Sequence, residues 1–167
     1  GAKFDAKKYE EDKLKIIEYY NSLGYRDATI IADTTYANRK GNLRIDMKVS
    51  EGSRYYFGNI AWKGNTKYSD SILNILLGIK KGDTYNLDIL NSKLGKSISP
   101  EGGDISGLYY DDGYLFFQIH EQESHIHGDT IDFDVMMYEG KQATINKVTI
   151  RGNDKTNDHV IYREIFT

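Results

Sequence analysis

Three histidines, His120, His125 and His127, fall close together in the sequence. The His-x-His pair would put two imidazoles on one side of a strand, an arrangement suited to a divalent metal. The bland alternative is a solvated hairpin tip, and it is favoured because the chain has no cysteine and no obvious third ligand. Asp111-Asp112-Gly113 and Glu101-Gly102-Gly103-Asp104 are acidic and contain glycine, but neither has the alternating oxygen spacing of a calcium loop. They read as a helix end and a loop. Gly-x-Ser-x-Gly elbows, phosphate-binding loops and His-Glu-x-x-His motifs are missing, so no catalytic residue, cofactor or metal is expected. Phe116 and Phe117 remain. On a strand, adjacent residues point to opposite faces, so one ring should lie outside the core, against a neighbouring part of the chain, the loop around Pro100 or a binding partner.

A content of 39% hydrophobic and 28% charged residues in 167 suits a soluble globular protein with one or two small cores. A net charge of -3 and scattered basic residues argue against a nucleic-acid surface. The sequence has neither a signal-peptide pattern nor an apolar run near the ~20 residues that span a bilayer. Fourteen tyrosines beside one proline favour strands and an interaction-prone surface.

The chain is repetitive. A shift of about 88 positions lays Asp46, Glu51, Gly52, Gly64, Asn65, Lys67 and Asp70 on Asp134, Glu139, Gly140, Gly152, Asn153, Lys155 and Asp158. One further residue aligns Tyr20, Gly24, Tyr25 and Ile30 with Tyr109, Gly113, Tyr114 and Ile119. Residues 53–140 then form one complete unit, 1–52 the end of a preceding unit, and 141–167 the start of a third.

Within the complete unit, Tyr56 to Lys63 reads as a strand closed by Gly64-Asn65. Ser69 or Asp70 caps a helix through Leu77 that stops at Gly78. A second helix begins near Leu87, breaks at Ser99-Pro100-Glu101-Gly102-Gly103, and resumes at Ile105. The preceding unit has an unbroken helix from Phe4 to Leu23, with Tyr9, Leu14, Ile16, Ile17 and Tyr20 on or near its buried side. Two alternating runs follow in each unit, Tyr25 to Thr35 with Leu43 to Val49, and Tyr114 to Ser124 with Ile131 to Met137. The fold class is therefore α+β. Each unit is β-α-α-β-β, a three-stranded mixed sheet with two helices on one face. Trp62, Leu73, Leu76, Leu90, Leu108, Ile119, Phe133 and Val135 are the expected core.

Glu51-Gly52, Tyr55 to Phe57, Ile60-Ala61-Trp62 and Gly64-Asn65, repeated as Glu139-Gly140, Ile145 to Ile150 and Gly152-Asn153, resemble the boundary of POTRA (polypeptide-transport-associated) modules. The Tyr-x-x-x-Gly-Tyr segments, Tyr20 to Tyr25 and Tyr109 to Tyr114, are similar to that family's helix-to-strand turn. The likeness covers essentially the whole chain and points to BamA-type outer-membrane β-barrel assembly factors. It implies a periplasmic arm preceding a C-terminal membrane barrel, receiving unfolded outer-membrane β-barrel proteins and docking accessory lipoproteins. The pairing surface would be an exposed sheet edge formed by Tyr114, Leu115, Phe116, Phe117, Gln118, Ile119, His120, Glu121 and Gln122. The second reading is a POTRA-type adaptor or adhesion module holding one dedicated partner. An incomplete first unit and an orphan third one lead to a further expectation: head-to-tail self-association, with residues 143–166 of one copy completing the first unit of the next.

Overall fold

In the computed structural model, residues 4–97, 103–151, 157, 159–160 and 163 are described. The order is α1 (Ala6–Ser22), β1 (Thr29–Ala37), β2 (Leu43–Ser50), β3 (Tyr56–Lys63), α2 (Asp70–Leu77), α3 (Leu87–Leu94), α4 (Ile105–Asp111), β4 (Gln118–His127) and β5 (Thr130–Tyr138). The strands form a two-stranded sheet, β1-β2, and a three-stranded sheet in the order β3-β5-β4. Strand β5 lies between a parallel β3 and an antiparallel β4. The mixed α+β architecture agrees with the expectation from the sequence.

Each helix starts and stops for a local reason. Ser69, Asn86 and Asp104 cap α2, α3 and α4 by accepting the N–H of Ile72, Ile89 and Gly107. Gly78 and Gly95 end α2 and α3 in left-handed geometry. The expected break in the second helix separates α3 from α4, and Ser106 Oγ donates across it to the Leu94 carbonyl at 2.6 Å. Ser99 to Gly102, within that break, lie outside the described residues.

The core belongs to the second repeat. Leu73, Leu77, Leu90, Leu94, Ile105 and Tyr109 from the helices pack on Phe57, Trp62, Ile119, Ile131, Phe133, Val135 and Met137 from the sheet. Along β5, buried residues alternate with more exposed ones, so the helices cover one face of the sheet. Two expected core residues differ: Leu76 is exposed and Leu108 half-buried. The helix periodicity placed Leu73, Leu76 and Leu77 together, but the sheet accepts the Leu73/Leu77 stripe and turns Leu76 outward. Leu14 of α1 is likewise exposed, and α1 buries no residue. Lys141 to Arg151 contain no assigned strand, and His159, Val160 and Arg163 are helical. The Gly152-Asn153 motif and most of the chain after it, within the expected third unit, lie outside the described residues.

Candidate strand-pairing edge

Both Tyr-x-x-x-Gly-Tyr segments close a helix in the same way. The Tyr25 N–H donates to Tyr20 O and the Gly24 N–H to Asn21 O; Tyr114 to Tyr109 O and Gly113 to Tyr110 O repeat the pair. This is the Schellman arrangement, which needs a positive φ at its glycine, here 96° for Gly24 and 86° for Gly113. The two tyrosines that flank the glycine supply its apolar contact, with ring centroids 6.1 Å apart in the first repeat and 5.6 Å in the second. A further turn follows, marked by Ala28 N–H to Tyr25 O and Phe117 N–H to Tyr114 O. Both following strands therefore begin later than the alternation predicts.

This corrects part of the expected edge. Tyr114, Leu115, Phe116 and Phe117 lie in the turn before β4, whereas Gln118, Ile119, His120, Glu121 and Gln122 are within it. Phe117 is buried and stacked on Tyr109 at 4.1 Å, and Phe116 is 70% exposed. One ring inside and one outside is as expected, but a turn rather than strand alternation separates them.

Strand β4 pairs with β5 from Gln118↔Tyr138 to His127↔Thr130, with an irregularity between Glu123 and His125. No strand lies on its other side among the described residues. On the helix-side face Ile119 is buried, Glu121 accepts from Lys96 and Glu123 from Arg26. Gln118, His120 and Gln122 are exposed. The opposite edge is different. Along the start of β3, the Phe57 N–H donates to Asp83 O, Gly82 to Phe57 O and Tyr85 to Tyr55 O, so the segment after α2 occupies the backbone groups a new strand would need. Among the described residues β4 is therefore open along its length, whereas β3 is occupied at its start.

The histidines do not form a metal centre among the described residues. His125 and His127 stack with centroids 5.8 Å apart, on one side as expected, and His127 Nε2 lies 3.5 Å from Asp132 Oδ2.

A polar hub was not anticipated. Glu139 is 9% exposed and accepts the Thr66 N–H at 2.7 Å, the Lys67 N–H at 3.0 Å, the Tyr109 hydroxyl at 2.7 Å and the Thr66 hydroxyl. Burial pushes its carboxyl up, but the bonds from Thr66, Lys67 and Tyr109 outweigh it and hold the group below the usual carboxylate range. Beside it, Tyr68 donates to Asp112, which pushes the Tyr68 hydroxyl up to about 12. Gly64 has φ 86°, and a Cβ there would run into the Met137 carbonyl. The Gly-Asn and Glu-Gly motifs thus meet in space and hold the module closed. Their repetition was the available signal, but it does not say that Glu139 is buried.

The POTRA family model, described as surface antigen variable number repeat, matches residues 1–52 and again 55–137. The chain is 28% identical over 165 residues to outer membrane protein assembly factor BamA of Neisseria meningitidis serogroup B, covering 97% of this chain and 20% of that protein. It is 29% identical over 162 residues to BamA of Nitratidesulfovibrio vulgaris, covering 93% of this chain and 19% of that protein. The chain therefore spans about a fifth of the length of these curated relatives. In fold it is similar to the crystal structure of Haemophilus influenzae BamA POTRA3-5, with a TM-score of 0.61 at 20% identity, covering 98% of this chain and 63% of that one. Two successive family matches, over a backbone whose helix ends and hairpins repeat, show that the chain belongs to the POTRA family.

Proposed function

We propose that this chain is a non-enzymatic binding scaffold in outer-membrane protein assembly, acting on the periplasmic side of that membrane. It works as part of an arm in which residues 53–140 are a complete module between parts of two others. Support for the broad role comes from its likeness to BamA proteins. The observation that carries the mechanism is the open edge of β4, facing away from β5 while the start of β3 is occupied. An extended segment of an unfolded β-barrel protein adds there through main-chain hydrogen bonds, which depend little on its side chains. Gln118 to Gln122 form the pairing stretch, and exposed Phe116 with Leu115 adds an apolar contact at its start. Accessory lipoproteins dock on the same arm, and a C-terminal membrane barrel follows it in the full-length protein.

In an antiparallel ladder, alternate residues of an edge strand turn their N–H groups away from the sheet. Proline at such a position within Gln118 to Gln122 removes a donor from the client side and leaves the bonds to β5 in place. The expected outcome is weaker binding of several unrelated barrel-derived strand peptides, measured by fluorescence anisotropy, with unchanged thermal stability. Equal binding by the proline variant refutes the edge mechanism. Tight binding of a single partner with no affinity for such peptides favours the dedicated adaptor.

A further inference from the structure

Successive repeats are joined by contacts that recur and by others that do not. At the first joint the Tyr55 N–H donates to Gly24 O at 2.8 Å, and Arg54 Nε to Leu23 O at 3.0 Å. After the second repeat's helix end, the Ala143 N–H donates to Gly113 O at 2.8 Å, and Gln142 Nε2 to Asp112 O at 2.7 Å. Under the repeat alignment Arg54 and Tyr55 correspond to Gln142 and Ala143. Side chains of different chemistry thus make the same docking on carbonyls that a helix end leaves open. The approach is close in both: a Cβ on Gly24 would stand 3.0 Å from Tyr55 O, and one on Gly113 2.9 Å from Ala143 O.

The first joint adds Arg26. Its Nε and Nη2 donate to the two carboxylate oxygens of Glu123 at 2.9 and 2.5 Å, a planar fork matched to a carboxylate. The guanidinium lies 5.8 Å from the Tyr55 ring centroid, and the Tyr85 hydroxyl donates to the same carboxylate at 3.3 Å. Both partners are largely withdrawn from solvent, with side chains 30% and 27% exposed. In the second repeat Leu115 corresponds to Arg26; it is 58% exposed and has no charge to offer.

The recurring bonds, and the one from Asn86 Nδ2 to Ser22 O at 3.4 Å, all cluster on the end of α1, so without a further attachment they permit a pivot. Arg26 leaves the turn beyond that helix and reaches β4, a second and separate point of attachment. Two attachments define an angle where one does not. We infer that Arg26 is a positioning residue, a latch that fixes the first repeat's β1-β2 sheet against the second repeat through Glu123. The inference does not depend on what β4 binds.

The chain has no cysteine, which makes paired labels simple to introduce. Spin labels at Lys48→Cys and Lys81→Cys, one exposed site in each repeat, report the inter-repeat distance by pulsed electron resonance. The wild-type background should give one narrow distribution. R26E should broaden it and shift its mean, with the thermal midpoint of the second repeat unchanged, and R26E/E123R should restore the narrow form. A distribution unmoved by R26E overturns the latch, and so does a broadening that the double reversal leaves in place.

Discussion

Glu51 and Glu139 occupy the same place in the two repeats, each before a glycine with φ near 70°, yet Glu51 is exposed and Glu139 is the buried hub of its module. Around them the local structure is shared: the Schellman end of the helix, the following turn and the antiparallel hairpin form in both repeats. What differs is the tertiary partner. Glu139 meets the turn after β3, which supplies Thr66 and Lys67, and β3 itself supplies Phe57 and Trp62 to the core. The first repeat, as described, has a helix and a hairpin without such a strand, and α1 buries no residue. Short-range rules therefore build the parts of a module, and a strand from far away in sequence closes it.

The largest test of this difference is cavity formation. Trp62 is buried and its Nε1 donates to Asn74 Oδ1, so Trp62→Ala should cost about 3–5 kcal/mol in denaturant titration. Leu14→Ala in α1, at an exposed site, should change stability by no more than about 0.5 kcal/mol. A loss below about 1 kcal/mol for Trp62→Ala breaks the comparison. Next comes the hub. Glu139→Gln should cost about 1–3 kcal/mol near neutral pH because it weakens four hydrogen bonds, one buried and three part-buried, and Glu51→Gln should be close to neutral. The sign with pH is fixed: the folded carboxyl titrates below its ordinary value of 4.5, so its contribution is present above that value and lost as pH falls through the folded pKa. The gap between wild type and Glu139→Gln should therefore narrow in acid, and a gap that widens contradicts the hub. The smallest effect belongs to the first repeat. Asp33 accepts from Tyr9 and Lys13, which hold its carboxyl below the usual range. Tyr9→Phe should return the Asp33 midpoint toward its ordinary value in an NMR titration, without a measurable change in the thermal midpoint.

Much of this was legible in the sequence because it rests on local chemistry. Gly24, Gly78 and Gly113 announced helix ends, Ser69 a helix start, and the alternation in Ile131 to Met137 a half-covered strand. Position within the sheet also followed, since a strand that hairpins into a central neighbour must lie at an edge. Long-range choices were not legible. Leu76 has the same local credentials as Leu73, and only the shape of the sheet decides between them. The start of β4 is hidden from the sequence because the turn after Gly113 is held by backbone bonds, which leave no mark on side-chain alternation. Arg26 and Glu123 are too far apart in sequence for any spacing rule to pair them.

The parallel pairing of β3 with β5 carries a consequence for the order of folding. The β4-β5 hairpin is a local structure, and hairpins of this kind close within microseconds. Strand β3 has to wait for it, because all three helices of the module and β4 lie between the partners in sequence, and non-local pairing is slow to nucleate. A chain emerging from its N-terminus thus presents Phe57, Ile60 and Trp62 first and covers them last. For that interval each new module is an open half-sheet, with β5 unpaired on the side that β3 will take.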